Sequence, residues 1–338
     1  MLLSVVIAAR DASSTLGTLL ASLAASERPV DEVIVVDDGS RSSIEPLARR
    51  YGAQYIRNEV ALGPAVARNR GVAASKGGII LFFDADVSVH PDTVGRLAGR
   101  LEADDRVDGV IGSYDDQPSH QGFLSRYRNL LHAWVHQNAA RDASTFWGAC
   151  GAIRREVFLA AGGFSEAYAR PSIEDIELGC RLIKEGRKLV LDRQARICHH
   201  KSWSFLQMVR TDILDRAVPW TRLILSERHM PNDLNLRRSQ RLNAVLALLS
   251  LVMAPTAFLS WNHLAGWLAV SGAYLARNRR FYAYLASNQG IGFALRAIPV
   301  HWLYFIYSCA GFAIGLAWHM LPGQGRQRVK TGGQRAGG

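Results

Sequence analysis

Apolar residues in the first hundred positions alternate between unbroken runs and helical spacing. The unbroken runs are short, which is typical of strands buried on both faces of a parallel sheet. The segments between them repeat apolar residues at helical intervals and predict helices. The predicted strands are 2–9, 32–36, 54–56 and 79–83, and the predicted helices are 13–26, 44–51, 65–75 and 91–102. This alternation predicts an α/β fold with a mostly parallel, doubly wound sheet.

The pattern becomes mixed between residues 106 and 228. It predicts strands at 107–113 and 188–191 and helices at 123–137 and 176–185. Residues 203–228 form a further predicted helix, amphipathic and kinked at Pro219, with arginines on one side and large apolar residues beside them. Two interpretations of this helix stay open. It lies in a membrane interface, or it packs on the domain and leaves a basic face in solvent. We assign residues 1–230 to one domain.

The composition changes after Arg241. Residues 242–276 carry no formal charge, and a single membrane span needs only about 20 residues. We therefore predict a helical hairpin of short spans, or one span with a re-entrant piece, with its tip at 260–263. A third apolar segment follows at 298–321, so that 242–321 forms a membrane region with two to three helical segments. Arginines flank the hairpin on both sides, which predicts cytosolic ends. The Gly- and Arg-rich residues 322–338 are predicted to be disordered.

Composition and charge narrow the partners. The formal net charge is +11 and hydrophobic residues make up 49% of the chain. Such a balance suits nucleic acid, an anionic membrane surface or phosphorylated substrates. Because no zinc-finger spacing or basic heptad helix is present, nucleic acid is the weakest of the three. The four cysteines are far apart, which fits a reducing compartment. The apolar start lacks a basic n-region and is interpreted as a core strand, which places the catalytic part in the cytosol.

Two pairs of acids follow predicted strands. Asp37 and Asp38 come after the second strand, and Asp84 and Asp86 come after 79–83. Ligands of open α/β sheets bind outside the carboxyl ends of strands, where an acid can accept hydrogen bonds from a ribose or a base. Two carboxylates one residue apart can also hold a hard divalent cation such as Mg²⁺ or Mn²⁺. The alternatives are a capped turn for the first pair and a solvated loop for the second.

Three other groups of residues are candidates for chemistry. An acidic cluster with Glu174 and Asp175 opens a predicted helix, where a carboxylate either complements the helix dipole or accepts a proton. Trp147 and Gly148 lie in a glycine-rich stretch that either approaches a sugar or forms a packed turn. His199 and His200 follow a strand, and either imidazole can bind a metal.

Taken in order, these motifs resemble the family 2 glycosyltransferases with their GT-A nucleotide-sugar-binding fold. The matching segments are VVDDGS, GPAVARNRG, FFDAD, FWGACGAIRREVFLAAGGF, IEDIELGCRL and a late histidine, within residues 1–230. The resemblance implies an inverting, single-displacement sugar transfer. It implies donor binding by Asp37, Asp38, Arg68 and Asp84, and a metal held by Asp84, Asp86 and His199, with His200 as the alternative to His199. It further implies that Asp175 is the general base. We also expect Trp147, Gly148 and Glu174 to lie on the acceptor side.

Two departures from the family pattern narrow the expected reaction. Ala8 stands where many relatives have a proline, and Gln207 opens a QxxR sequence that is followed by Thr211 rather than by tryptophan. The second departure argues against processive polysaccharide synthesis. We therefore expect transfer of one sugar, from a UDP- or GDP-sugar to a lipid-linked or glycan acceptor of the cell envelope, by a multi-pass protein of the inner membrane. The alternatives are a polyprenyl-phosphate sugar synthase and a catalytically silent nucleotide-sugar-binding scaffold.

Overall fold

The computed structural model describes residues 1–227 and 237–321, which group into two compact units. The first unit holds residues 1–120 and 136–202, and the second holds 121–135 together with the described residues from 203 onward. The sequence interpretation assigned residues 203–230 to the first domain, whereas this grouping places 203–227 with the C-terminal helices. Arg228 and the predicted disordered tail 322–338 lie outside the described residues.

The first unit is built around a mixed eight-stranded sheet. The strands are β1 (Leu3–Ala9), β2 (Glu32–Asp38), β3 (Gln54–Asn58), β4 (Ile79–Phe83), β5 (Val87–Val89), β6 (Gly109–Tyr114), β7 (Cys150–Arg154) and β8 (Leu189–His199). Their order is β3-β2-β1-β4-β7-β6-β8-β5. The first four of these pair in parallel, as predicted, and the central residues of β1, β2 and β4 are fully buried.

Beyond β4 the sheet is mixed rather than parallel throughout, although β6 and β8 also pair in parallel. Strand β7 runs antiparallel to both β4 and β6, and β5 runs antiparallel to β8. The sequence interpretation missed β7, because its residues Cys150–Arg154 belong to a glycine-rich stretch without the alternation of an ordinary strand. Gly151 shows why glycine is needed there, since a Cβ atom would lie 2.5 Å from the carbonyl oxygen of Trp147. Strand β7 therefore depends on close packing of its backbone and not on an alternating pattern of apolar residues.

The helices between the strands belong to the first unit, except that residues 123–135 of the fifth belong to the second. They are α1 (Leu16–Ala24), α2 (Glu45–Arg50), α3 (Pro64–Ala74), α4 (Thr93–Ala103), α5 (Phe123–Gln137), α6 (Arg155–Ala160) and α7 (Glu174–Lys184). Helix α3 packs so closely on β1 that a Cβ atom at Gly71 would lie 2.4 Å from Val6. This contact fixes the helix that carries Arg68 against the centre of the sheet.

The second unit consists of helices. They are α8 (Phe205–Arg210), a π-helical segment (Thr211–Ala217), α9 (Val218–Glu227), α10 (Arg238–Met253), a short 3-10 segment (Ala254–Phe258), α11 (Trp261–Gln289) and α12 (Ile291–Met320). The π-helical turns directly precede Pro219, the position of the predicted kink. The predicted hairpin is present, since the chain reverses between Phe258 and Trp261. Two segments, Arg238–Phe258 and Ile291–Met320, have the length and composition of membrane spans.

Candidate active site

The carboxyl ends of β2 and β4 carry the two predicted acidic pairs at one edge of the sheet. Strand β1 pairs in parallel with both of them, so their carboxyl ends point the same way. This edge is where open α/β sheets bind their ligands. The two pairs nevertheless have different surroundings.

Asp37 is fully buried and its carboxylate is occupied by protein donors. One oxygen accepts a hydrogen bond from the backbone N–H of Ser40 at 2.8 Å. The other accepts from the Tyr55 hydroxyl at 2.6 Å and from the Arg57 guanidinium at 3.0 Å. Because a buried charge needs such partners to remain stable, Asp37 forms part of the internal support of this edge.

Asp38 holds the loop that leads into α3. Its side chain is 4% exposed. It accepts hydrogen bonds from the Asn58 amide at 2.7 Å and from the backbone N–H groups of Leu62 and Gly63 at 2.9 and 2.8 Å. The same loop lies against Gly39, where a Cβ atom would be 2.8 Å from the backbone nitrogen of Ala61. Asp38 therefore positions the start of the helix that carries Arg68.

Arg68 connects Asp84 of the second acidic pair to Glu174 at the start of α7. Its guanidinium donates to Asp84 at 2.7 Å and to Glu174 at 2.8 Å. The side chains of Arg68 and Glu174 are each 6% exposed, whereas that of Asp84 is 37% exposed. Burial and the nearby charge of Asp86 raise the pKa of Asp84, although Arg68 acts in the other direction. Arg68 thus holds one oxygen of Asp84 in place, while part of the Asp84 side chain remains exposed.

Asp86 lies beside His199, because β5 and β8 pair with Val87 opposite His199. The His199 Nε2 atom is 3.5 Å from an Asp86 carboxylate oxygen. Burial of Asp86 acts to raise its pKa, but His199 and Lys201 act together in the other direction, so the pKa is lowered. His200 faces Ser88 instead, with its Nε2 atom 2.9 Å from the hydroxyl. Of the two histidines, His199 is therefore the one beside the second acidic pair.

Asp175 stands in the first turn of α7 and is partly exposed. One carboxylate oxygen accepts from the backbone N–H of Gly148 at 3.0 Å, and the other accepts from that of Ile176 at 2.8 Å. Burial and the neighbouring charge of Glu174 raise the pKa of Asp175 to about 6. A carboxylate with this pKa is ionised at neutral pH and still basic enough to accept a proton.

Gly148 contacts both the start of α7 and the guanidinium of Arg68. Its N–H binds Asp175, and a Cβ atom on it would lie 3.1 Å from the Arg68 guanidinium carbon. The neighbouring Trp147 is half-buried and lies edge-on to Tyr114 and to His136, with ring centroids 4.7 and 4.6 Å apart. Trp147 thus belongs to an aromatic group rather than standing alone.

The sequence interpretation missed Tyr114 and His136. Tyr114 also contacts the ring of His199, with centroids 5.4 Å apart, and so connects Trp147 to the histidine of the second acidic pair. Because Tyr114 ends β6, its place at a strand end was a signal that could have found it. His136 stands near the end of a long helix, and nothing in the sequence pattern points to it.

The donor set around Asp84 and Asp86 fits a hard divalent cation. Across 1–227 and 237–321, no group of three or more His, Cys, Asp or Glu side chains is arranged to hold a metal ion by itself. Magnesium in phosphate-binding sites, however, takes only one or two carboxylates and completes its shell with phosphate oxygens and water. Two partly exposed carboxylates, with one imidazole 3.5 Å from Asp86, match that requirement.

Residues 4–160 match the family model described as Glycosyl transferase family 2. The chain carries a family 2 glycosyltransferase domain. The match covers both acidic pairs, Arg68, Trp147 and Gly148, whereas Glu174, Asp175 and His199 lie beyond it. The alignments with curated relatives are longer than this match. The glucosyl-3-phosphoglycerate synthase of Mycolicibacterium paratuberculosis is 30% identical over 203 residues, which is 57% of this chain and 53% of that protein.

A second curated relative and one solved structure are also similar to this chain. The succinoglycan biosynthesis protein ExoO of Rhizobium meliloti is 33% identical over 227 residues, or 63% of this chain and 65% of that protein. The chain thus spans less than two thirds of the length of these relatives. The mannosyltransferase PcManGT from Pyrobaculum calidifontis, in complex with GDP-Man and Mn²⁺, matches with a TM-score of 0.60 at 18% identity, over 92% of this chain and 86% of that chain. This likeness shows the curled, mixed sheet of the GT-A fold.

Proposed function

We propose that the protein is an inverting glycosyltransferase that moves one sugar from a nucleotide-sugar donor to a membrane-associated, lipid-linked acceptor. The observation that carries the proposal is the Arg68 bridge. One buried guanidinium binds Asp84 and Glu174, and Gly148 packs on it while donating to Asp175. Residues from four separate segments of the chain are therefore held at one place, with two of the acids partly open to ligand.

The residues divide into a donor side and an acceptor side. Asp84, Asp86 and His199 would hold Mg²⁺ or Mn²⁺, and the bound ion would neutralise charge on the leaving nucleoside diphosphate. Asp37 and Asp38 act on the donor side through the loops they hold, since their own oxygens already accept three hydrogen bonds each. Trp147 offers an aromatic face to the sugar or the acceptor.

Asp175 would act as the general base. Its carboxylate accepts the proton of an acceptor hydroxyl while that oxygen forms a bond to the anomeric carbon of the donor sugar. The bond from this carbon to the diphosphate oxygen breaks in the same step, which inverts the configuration. A base with a pKa of about 6 is suited to this task at neutral pH.

The second unit supports a membrane location for the reaction. Two helices have the length and composition of membrane spans. The tip of the hairpin exposes Phe258, Leu259 and Trp261 by 92%, 71% and 84%, which is costly in water and favourable in lipid. We propose that these helices anchor the protein in the inner membrane, where a lipid-linked acceptor would be concentrated, with the catalytic unit on the cytosolic side.

The proposal is tested first by donor binding. The full-length protein in detergent is titrated calorimetrically with a panel of UDP-, GDP- and dTDP-sugars, with and without Mn²⁺. We expect one donor to bind in a metal-dependent manner, and binding to be lost in the Asp84→Ala, Asp86→Ala double variant. The variant Asp104→Ala, which removes a partly exposed acid that is paired with Arg106, is the matched control. Absence of binding by any donor to the folded protein would instead favour the silent scaffold.

A further inference from the structure

The formal charge of the chain is concentrated in its last third. All 29 acidic residues lie before residue 234, together with 29 of the 40 Lys and Arg residues. The remaining 11 basic residues lie after this point and have no acidic residue among them, so the whole net charge of +11 belongs to this segment. The segment that carries the two candidate spans therefore contains basic residues and no acidic ones.

Six of these arginines lie at one end of the hairpin formed by α10 and α11. They are Arg237, Arg238, Arg241, Arg277, Arg279 and Arg280, here called the arginine collar. The two helices meet at this level, because the amide of Asn243 donates to Asn278 at 2.9 Å. Arg277 also donates to the side-chain oxygen of Asn243 at 3.1 Å. The collar is thus a single basic zone rather than two separate ones.

The collar contains a cavity of about 400 Å³ lined by Ala276, Arg277, Arg279 and Arg280. All three arginines are exposed. No ion pair joins any of them to an acidic side chain in the part of the chain that the structure describes. Three guanidinium groups around a small open cavity present several N–H donors, which match the oxygens of a phosphate group.

The surface next to the collar is apolar. Helix α10 exposes Val245, Leu248, Leu249 and Val252 by 42–65%, and the exposed apolar tip lies at the far end of the hairpin. The segment Arg238–Phe258 has 21 residues, which corresponds to roughly 30 Å at about 1.5 Å per residue and so to about the thickness of the hydrocarbon layer of a bilayer. A molecule bound at the collar therefore has an apolar surface beside its phosphate.

We propose that the arginine collar binds the phosphate group of an anionic membrane glycerophospholipid, with the cavity at Arg277, Arg279 and Arg280 as its headgroup site. The acyl chains of this lipid lie along the exposed face of α10, which a soluble phosphate compound could not cover. Clusters of basic residues next to a membrane helix attract anionic lipids at the headgroup level. The inference rests on the proposed membrane location of these helices and is independent of the proposed sugar transfer, because it concerns binding alone.

Native mass spectrometry of the full-length protein in detergent micelles tests the inference. The probes are phosphatidylglycerol and phosphatidylcholine with the same acyl chains, together with glycerol phosphate and a fatty acid. We expect the protein to retain phosphatidylglycerol in preference to phosphatidylcholine. The Arg279→Gln, Arg280→Gln double variant should weaken its binding by roughly tenfold or more, because each basic residue near a lipid surface contributes about 1 kcal/mol.

The matched control is the Arg49→Gln, Arg50→Gln double variant, which removes the same charge from the exposed end of α2. Retention of phosphatidylglycerol by the control, and its loss from the collar variant, supports the site. Equal losses in both variants would show an effect of net charge alone and overturn it. Competition by glycerol phosphate at equal concentration would assign the cavity to a soluble phosphate, and equal retention of the fatty acid would remove the phosphate from the recognition. Either result also overturns the proposal.

Discussion

The two acidic pairs look alike in the sequence and differ in the structure. Each pair ends a buried parallel strand, and each was predicted to bind ligand. Asp37 and Asp38 are 0% and 4% exposed, and three protein donors occupy each of them. The side chains of Asp84 and Asp86 are 37% and 33% exposed, and their side-chain partners are one guanidinium and one imidazole.

This difference shows that an acidic strand end has two uses. The first pair uses its oxygens to hold loops, and so it fixes the position of α3 and of Arg68. The second pair leaves part of its surface exposed, so a bound cation would have access to its charges. Substitution of the first pair should therefore lower stability, whereas substitution of the second should lower activity.

The largest expected effect is on the second pair. The Asp84→Asn, Asp86→Asn double variant should lose sugar transfer by about 10³-fold or more, because neutralisation of the leaving diphosphate is worth several kcal/mol. Its free energy of unfolding should change by no more than about 1 kcal/mol, since the amide oxygen introduced at position 84 would still accept a hydrogen bond from Arg68. Transfer is measured with radiolabelled donor and a lipid extract, and unfolding by a thermal melt. A large loss of stability would make this pair structural, like the first.

A somewhat smaller effect is expected at Asp175, which accepts a hydrogen bond from Gly148, the glycine that packs on Arg68. Asp175→Asn should lower kcat by about 10²-fold or more, as removal of a general base does, while the calorimetric Kd for donor stays unchanged. In the wild type, kcat/KM should rise with pH up to an apparent pKa of about 6 and then level off, because only the ionised carboxylate accepts a proton. This rise should be absent from the variant.

The polyprenyl-phosphate alternative gives the opposite result for the same variant. A phosphate nucleophile is already an anion and needs little help from a base. A near-normal rate of Asp175→Asn with a polyprenyl-phosphate acceptor would therefore remove Asp175 from the role of base and support that alternative. The partly exposed acid Asp104 serves again as the control position, since its ion-pair partners, Arg106 and Lys188, are not among these residues.

The fold was predictable where burial alone determines structure. The runs that form β1, β2 and β4 were predicted to within one or two residues, because strands covered on both faces need unbroken apolar sequence. Strand β8 was predicted to end at residue 191 but continues to His199. Its second half contains polar residues, and its extended conformation depends on pairing with β5 and β6. Such pairing is a tertiary effect that a local pattern does not contain.

The site was predictable as a set of acids but not as a set of roles. Nothing local distinguishes Asp38 from Asp84, since each follows a buried strand. The distinction comes from Asn58 and the loop at Leu62, which reach Asp38, and from Arg68, which reaches Asp84. These partners are separated from the acids by 16 to 24 residues. Only the folded chain shows which acid they satisfy.

A moderate effect on stability is expected at the first pair. Asp38→Asn would place an amide N–H₂ group against the N–H of Gly63 or Leu62 and leave a buried donor without an acceptor. The free energy of unfolding should fall by about 1–3 kcal/mol, measured by thermal or denaturant unfolding in detergent. The single variant Asp86→Asn is the matched comparison and should unfold close to the wild type. Equal unfolding of the two variants would abolish the distinction between the pairs.

The smallest expected effect concerns Gly148, where a substitution tests whether activity depends on the position of Arg68 beside Asp84. In Gly148→Ala the new methyl group would lie 3.1 Å from the guanidinium carbon, so Arg68 must move by a few tenths of an ångström. Because a misplacement of about 1 Å can cost 10²-fold in rate, this smaller shift should lower kcat/KM by roughly three- to tenfold. The control Gly99→Ala, in α4 with open space around it, should keep full activity. Full activity of Gly148→Ala would mean that the bridge tolerates displacement, and that Asp84 is oriented mainly by its bound ligand rather than by Arg68.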